Sequence, residues 1–594
     1  MIIHVNAADT TGAQVATPAE ALEKLRKSTG EKKMIIHSGV YYGTSLSLTE
    51  EDNGLIIEGS KQGRGVLSGG IPVRNWLVDP ETGWFYTDIP QVNGQQVDFR
   101  LLLTENGDYL KKARYPLEGE LTHCTIFDKL EWRGSCYGGW GRMLTREELD
   151  HFVYDPKDFS DDFVYENAEV QVYHSWNESY TSVVGMDRET HTFYLDPPCG
   201  HPPGSFGHRE YIVYNTVEGM TEDGRWYRDK KNGKIYYRPY PDEKVEDFCA
   251  IVPLTKTVIA FSEGCKDITI RDIDITAATT PVVTDVFSTE VMRGAGGFIS
   301  LEQFGAIQGE GVSGILLENI SIYKTGGLGI KLKGEDIYIR GAQISECGAG
   351  GVALTINTPI PENPSEETWA TWPCVEGCRI ERIGMDYYSA AAIFIDNAVA
   401  RKNYIAETPY SGIVAYGDNL LIEENIVLNP MQKLNDGAGI YKLLDKNGTI
   451  RNNFVQRIDT GKKYINCKGL YLDAPGVGFK VYGNVVKGLF YPFHHHIGEP
   501  GTVWHDNYFE KEGDMMPTLH RTEGAHLVNN VFKCTGTLHF QAPIEGIAEF
   551  RGNVLRHGGE AVIYTETHGK VNEVTQPPCT FEADDSNSIE RIIP

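Results

Sequence analysis

Paired cysteines, long apolar runs and basic excess are all scarce in this chain of 594 residues. Its eleven cysteines (124, 136, 199, 249, 265, 347, 374, 378, 467, 534 and 579) are an odd, scattered set without a CxxC. The closest pair, Cys374 and Cys378, reads as two buried thiols, and no ligand set with metal spacing stands out. No apolar run reaches the ~18 residues that a membrane span needs. The start, Met1-Ile2-Ile3-His4-Val5-Asn6, lacks the basic stretch and apolar core of a secretion signal. A reduced, cytoplasmic protein is expected, without a membrane partner. Fifty-five Lys and Arg against 82 Asp and Glu give a net charge of −27, which repels polyphosphates and speaks against general nucleic-acid binding. What is plentiful is aromatic residues and glycine: 31 Tyr, 23 Phe, 9 Trp and 64 Gly, with no collagen triplet. Such a chain buries a large core and turns often.

A short phrase recurs from residue 255 onward: Asn followed by apolar residues. It stands at Asn319-Ile320, Asn403-Tyr404-Ile405, Asn425-Ile426-Val427, Asn453-Phe454-Val455, Asn484-Val485-Val486, Asn507-Tyr508-Phe509, Asn530-Val531-Phe532 and Asn553-Val554-Leu555. From Asn403 the intervals are 22, 28, 31, 23, 23 and 23 residues. β-rich runs at that beat, with no helix between them, predict a stack of parallel strands in which each turn covers the last at about 4.8 Å. A leucine-rich repeat would show L-x-x-L-x-L phrasing, which is missing. The expected fold is therefore all-β, a right-handed parallel β-helix. Asn suits it by tolerating a left-handed turn and bonding its neighbours along the stack.

Three segments are expected. Residues 1–71 form an N-terminal cap and the first coils, with a short helix opened by Thr17-Pro18-Ala19-Glu20 hiding the open end of the stack. Residues 72–250 lose the beat and are rich in Trp, Tyr and Pro. Asn232-Gly233 between Trp226–Asp229 and Ile235–Arg238 signals a tight hairpin, so this stretch is expected as an inserted antiparallel, β-sandwich-like domain. Residues 251–594 carry the β-helix and a C-terminal tail, with Pro359 to Trp372 leaving the coil as a long loop.

The intervals of 28 and 31 mark coils lengthened by roughly five to nine residues, and solenoids place such insertions on a binding face. One lengthened coil holds Leu434-Asn435-Asp436-Gly437-Ala438-Gly439. The other holds Asp459-Thr460-Gly461-Lys462-Lys463 and then Leu470-Tyr471-Leu472-Asp473. Aligned by their first apolar residue, five consecutive strands put Asp396, Tyr416, Leu443, Asp473 and His496 at one position, with Asp396 and Asp473 facing outward. Two acids on adjacent coils are what glycoside hydrolysis requires: one protonates the leaving oxygen, the other attacks carbon or activates water. Asp436 and Asp473 meet that condition, provided the Gly437–Gly439 loop folds back over the sheet. Asp396 lies about 14 Å from Asp473 by strand spacing, too far for a direct partnership. Tyr416, Tyr441, Lys442, His496 and Asp396 are the candidate substrate contacts. The run His494-His495-His496 alternates faces, so it is expected to be packed histidines rather than a metal site.

The phrases Asp436–Tyr441 (D-G-x-G-I-Y), Gly469–Asp473 (G-L-Y-L-D) and Asn484-Val485-Val486 together resemble the β-helical glycoside hydrolases of families 141 and 120. Gly224–Asp229 with Ile235–Pro239, and Ala113-Arg114-Tyr115-Pro116, are similar to phrases found there too. The resemblance implies a sandwich-like insertion and plant-type glycans such as xylosides and fucosides; no cofactor is expected, since no ligand set with metal spacing stands out. In family 120 the aspartate of the G-L-x-L-D phrase is the nucleophile, which would be Asp473. Its acid/base glutamate would fall near His495 or His496, where this sequence departs. That departure favours the family 141 pattern of two aspartates, matching Asp436 and Asp473. The expected function is thus a glycosidase with an oligosaccharide as its partner. Trp132, Tyr137, Trp140 and Trp176 of the insert are further candidates for stacking on sugars. A polysaccharide lyase or epimerase acting on uronates, using Lys442 as a neutralising cation, is the alternative; a non-catalytic carbohydrate-binding solenoid is another.

Overall fold

The computed structural model describes residues 1–7, 14–128, 131–133, 139–280, 301, 303–458, 466–543 and 547–559, together with the backbone of strands Ala561–Thr567, Lys570–Asn572 and Thr580–Phe581. Tyr137, Cys136, Cys579 and the segment Asp459 to Lys463 lie outside the described residues. The chain is all-β with large parallel sheets, and it divides into two compact units. One holds Met1–Leu332, Gln343–Gly351 and Ile383–Ala390; the other holds Lys333–Ala342, Val352–Arg382 and Ala391–Pro594.

In the first unit, Thr17 caps the helix Pro18–Arg26 and Glu20 reaches back in a capping box. Its apolar face (Ala21, Leu22 and Leu25) is buried, and the helix packs on strands Ile2–Val5 and Lys32–Ile36. Those strands begin a parallel ladder that continues through Leu55–Gly59, Lys266–Arg271 and Gly305–Glu318. A second ladder runs Gly39–Tyr41, Gly65–Ser68, Asp274–Thr276, Ser321–Tyr323 and Gln343–Ser345. Ile56 thus pairs directly with Thr269, and Leu67 with Ile275, so the intervening chain leaves the stack and returns to it.

That interruption carries antiparallel sheets. Strands Phe85–Asp88, Lys234–Tyr237 and Arg225–Asp229 form one, with the hairpin turn at Gly233 in a left-handed conformation (φ 67°). Strands His151–Val153, Thr192–Asp196, Glu178–Asp187, Glu169–Tyr173 and Glu210–Tyr214 form another. Each has its own aromatic-rich core, around Phe85, Trp226 and Tyr237 in the first and around Phe152, Phe193 and Tyr211 in the second.

The second unit is three parallel ladders. One passes through Val352–Ile356, Ile393–Asp396, Ile413–Tyr416, Gly437–Lys446, Cys467–Val477, Tyr491–His496 and Thr518–His520. The others start at Cys374–Glu376 and Arg379–Glu381 and rise in step. Inside runs the asparagine ladder: Asn403, Asn425, Asn453, Asn484, Asn507, Asn530 and Asn553 are all buried. Asn453, for example, receives the Asn425 backbone N–H and side-chain amide at 3.0 Å, and passes the same two bonds to Asn484. The left-handed turn falls one residue earlier than expected, on Lys402, Glu424, Asn452, Gly483, Asp506, Asn529 and Gly552, which frees the asparagines for bonding. The stretch leaving the coil before Trp372 is not all loop. Ser365 caps a short helix, Glu366–Thr371, and the indoles of Trp369 and Trp372 donate to the Asn419 and Asn397 carbonyls at 3.0 and 2.8 Å.

Candidate active site

Strand register places the candidate residues as alternation implies. Asp396 pairs with Tyr416, Ala415 with Lys442, Leu443 with Asp473, and Leu472 with His495. Asp396, Tyr416, Leu443, Asp473 and His496 therefore share one position along the ladder. Asp396 and Tyr416 end their strands half-buried, three and two coils from Asp473.

Asp473 is held at both oxygens. The Tyr441 hydroxyl donates to Oδ2 at 2.8 Å, and His496 Nδ1 lies 2.8 Å from Oδ1. The Tyr441 ring stacks on Tyr471 (centroids 4.6 Å apart, planes within 9°), and His496 stacks on His520 at 4.9 Å. Burial, and then the charge of Asp473, pushes the Tyr441 hydroxyl well above its ordinary range, so it remains a donor at any working pH. His494 sets its ring edge-on to Tyr471 at 4.9 Å. Burial first, then the cations of Lys468 and the neighbouring histidines, pushes it well below the usual imidazole range, which keeps it neutral. His495 faces the interior beside Trp504 and is likewise driven down, to about 4, by burial. Among the described residues no group of three or more His, Cys, Asp or Glu is arranged to hold a metal.

Asp436 sits differently from the expectation. Gly437–Gly439 is not a loop folding back over the sheet: strand Gly437–Lys446 begins immediately after Asp436, and Gly437 pairs with Cys467. The two glycines answer to packing. A Cβ on Gly437 would meet Met431 Sδ, Ser411 Oγ and Tyr410 at 2.7 Å, and one on Gly439 would meet Val455 at 2.4 Å. The register is the same on either side of Gly439, with Ala438 paired to Lys468 and Ile440 to Leu470, so the strand runs on from Gly437 to Tyr441, and the register shifts only between Leu443 and Asp445. Asp436 itself is left-handed (φ 56°), its carbonyl accepts the Tyr410 hydroxyl at 2.8 Å, and its side chain is 40% exposed.

Lys468 ties Asp436 to the aromatic patch. Its ammonium pairs with Asp436 and lies 4.4 Å from the centre of the Tyr471 ring, whose hydroxyl is raised by burial and by the charges of both Asp436 and Asp473. Tyr410 is raised by the same two carboxylates after burial. The two acids therefore share one aromatic patch without touching each other through any direct bond. The sequence reading missed Lys468, Tyr410, Tyr471 and His520. Lys468 carried a signal, being a lone cation in the strand phrase Cys467-Lys468-Gly469-Leu470, where a buried ammonium needs a carboxylate.

Lys442 is placed elsewhere than expected. It is 1% exposed, and its ammonium donates to the Leu443 and Leu444 carbonyls at 2.9 and 2.7 Å. The same alternation that turns Tyr441 outward turns Lys442 into the coil, away from any substrate on the outer face.

No family model and no curated protein sequence matches the chain. Solved structures do. A structure described as a glycoside hydrolase covers 94% of this chain and 96% of its own, at 16% identity and a TM-score of 0.57. The complex of XylC with xylose covers 94% and 86% at 11% identity, TM-score 0.41. A GH136 lacto-N-biosidase from Eubacterium ramulus covers 95% and 67% at 10% identity, TM-score 0.31. Families 141 and 120 are not named among these, so that resemblance rests on the sequence phrases. What the first of them shows is that the chain shares, nearly end to end, the fold of a solved glycoside hydrolase.

Proposed function

We propose that this protein is a glycoside hydrolase acting on plant-type oligosaccharides, xyloside- or fucoside-like, with Asp436 and Asp473 as its catalytic pair. The observation that carries the reading is Asp473: an outward carboxylate within strand Cys467–Val477, oriented by Tyr441 and His496. A carboxylate with both oxygens in hydrogen bonds is positioned as a nucleophile or base. Asp436, half-exposed on the preceding coil, is the second acid. The fold of the structural neighbour supports the same class. The proposal takes the coil as right-handed, residues 72–250 as a sandwich-like insert between 1–71 and 251–594, and the setting as cytoplasmic, where imported oligosaccharides would be the substrates.

The lyase or epimerase alternative loses the cation it relied on, because Lys442 is occupied inside the coil. A screen of nitrophenyl glycosides and plant oligosaccharides tests the class. A hydrolase product gains a reducing end, whereas elimination leaves a conjugated double bond that absorbs in the ultraviolet. Asp473→Asn should then keep its melting temperature and lose turnover by more than the ~10²–10⁴-fold typical of general acid–base catalysis. Asp436→Asn should lose less on substrates whose leaving group needs little protonation. Near-normal rates in both variants would remove the pair from the mechanism, and Asp396 would be tested next. A non-catalytic solenoid would show no turnover at all and unchanged ligand affinity in both variants.

A further inference from the structure

In the first unit, residues Glu131 to Arg133 run antiparallel to Gly139 to Gly141. The Arg133 N–H donates to the Gly139 carbonyl at 2.9 Å, the Gly141 N–H to the Glu131 carbonyl at 2.7 Å, and Trp132 bridges Trp140. Trp132 rests on other rings: Trp176, Trp140, Phe206 and His201 lie 5.2–5.6 Å from its centre. Their planes are inclined to it by 40°, 71°, 85° and 83°, so none of the four lies flat on its face. The Trp140 indole N–H is fixed in turn by His201 Nδ1 at 3.1 Å. Trp132 is thus braced yet only half-buried, which is how a stacking platform differs from a core ring.

Beside it lies an open depression of about 370 Å³ lined by Glu131, Trp132, Arg133, Gly141 and Arg142. That is near the lower end of the ~300–1,000 Å³ usual for ligand sites, a size suited to one sugar ring. Its two arginines are in different situations. Arg142 is held by Glu131 at 2.6 Å and by both oxygens of Glu148 at 2.6 and 2.7 Å. Among the described residues no carboxylate pairs with Arg133, and its guanidinium lies across Gly141, where a Cβ would meet Nε at 3.1 Å. Arg133 and Arg142 against Glu131 and Glu148 leave the depression neutral on a chain of −27. A single carboxylate there meets no local repulsion, and distant charges are screened over about 8 Å at physiological salt.

We propose that this depression is a carbohydrate-binding site for a uronic acid unit on an otherwise neutral glycan. The pyranose ring stacks on Trp132, its carboxylate pairs with the Arg133 guanidinium in the planar, two-point manner that geometry favours, and the fixed Glu131 and Arg142 side chains bond ring hydroxyls. The site is built from residues of the first unit, none of them in the aspartate pair, and the proposal stands whether or not that pair is catalytic.

The test is equilibrium binding to the full chain in an Asp473→Asn background, so that no probe is consumed. The probes are a xylo-oligosaccharide bearing one glucuronic acid and the same oligosaccharide without it. The acidic probe should bind at least tenfold more tightly. Arg133→Ala should erase that difference, Arg133→Lys should restore part of it, and Trp132→Ala should weaken both probes. Trp132→Phe, which keeps a ring in the nest, should bind more tightly than Trp132→Ala and guards against a loss caused by unfolding. Equal affinity for the two probes, or a preference that survives Arg133→Ala, would overturn the proposal.

Discussion

The coils from residue 400 to 556 and the insert from 72 to 250 handle buried polar groups in opposite ways. In the coils one solution is repeated. From Asn425 to Asn530 each ladder asparagine gives and receives the same bonds, so each of these polar positions is met by the coil above and the coil below. The insert uses single solutions. Arg100 is buried with its guanidinium 3.4 Å from the centre of Tyr180 and 4.6 Å from that of Tyr387, and Lys230 reaches the buried Glu169 at 2.8 Å. Glu178 takes the Ser389 backbone N–H at 2.8 Å on one oxygen, while the other has no partner among the described residues. Repetition spreads electrostatic demands evenly; single solutions concentrate them in a few groups whose protonation then matters.

Glu178 offers the largest test of that contrast. Burial pushes its carboxyl up to about 8, against the backbone bonds that pull the other way. The folded value lies above the unfolded one, so the native protein keeps a proton that the unfolded chain gives up. The stability is fully present below about 4.5 and is lost as pH rises toward 8, by up to about 4 kcal/mol. Glu178→Gln imitates the protonated form. It should melt like the parent at pH 5 and several degrees higher at pH 8. Parallel melting at both pH values would mean the insert carries no such concentrated demand.

Asn484→Ala probes the repeated solution. It removes the acceptor of the Asn453 backbone N–H and side-chain amide, and the donor to Ile450 and Asn507. Buried groups left unpaired cost about 1–3 kcal/mol each, partly relaxed, so a loss of about 3 kcal/mol in urea unfolding is expected. A loss under about 1 kcal/mol would show that the ladder holds register without contributing stability.

The difference between the regions also decided what could be read in advance. Periodicity exposes the coils, because strand alternation alone puts Asp396, Tyr416, Leu443, Asp473 and His496 in line, and pairing follows that line. It did not expose the Asp436 end. Gly437 and Gly439 resemble a loop in sequence, but they are glycines because Tyr410, Ser411, Met431 and Val455 leave no room for a Cβ. Lys442 was legible by the same rule that turned Tyr441 outward, and was misjudged for its proximity to the acids. Trp226 to Asp229 and its hairpin announced themselves through Asn-Gly, yet the Arg100 cluster joins residues about 80 and 290 positions apart in the chain, and no local pattern signals such contacts.

Lys442 is also the exception inside the coils, a single solution in the repeating region, and its replacement should have the smallest effect. Its ammonium is enclosed and donates to the Leu443 and Leu444 carbonyls. Met has a similar length and volume and no charge. Exchanging a buried cation for an apolar side chain is often neutral, since the recovered desolvation offsets the bonds lost; here it frees the Leu443 and Leu444 carbonyls, and a net change within about 1 kcal/mol is expected. Turnover of Lys442→Met should stay within about threefold of the parent, because a side chain turned into the coil reaches no substrate on the outer face. A thousandfold loss with unchanged melting, accompanied in the parent by an ultraviolet-absorbing product, would return Lys442 to the chemistry and replace hydrolysis with elimination.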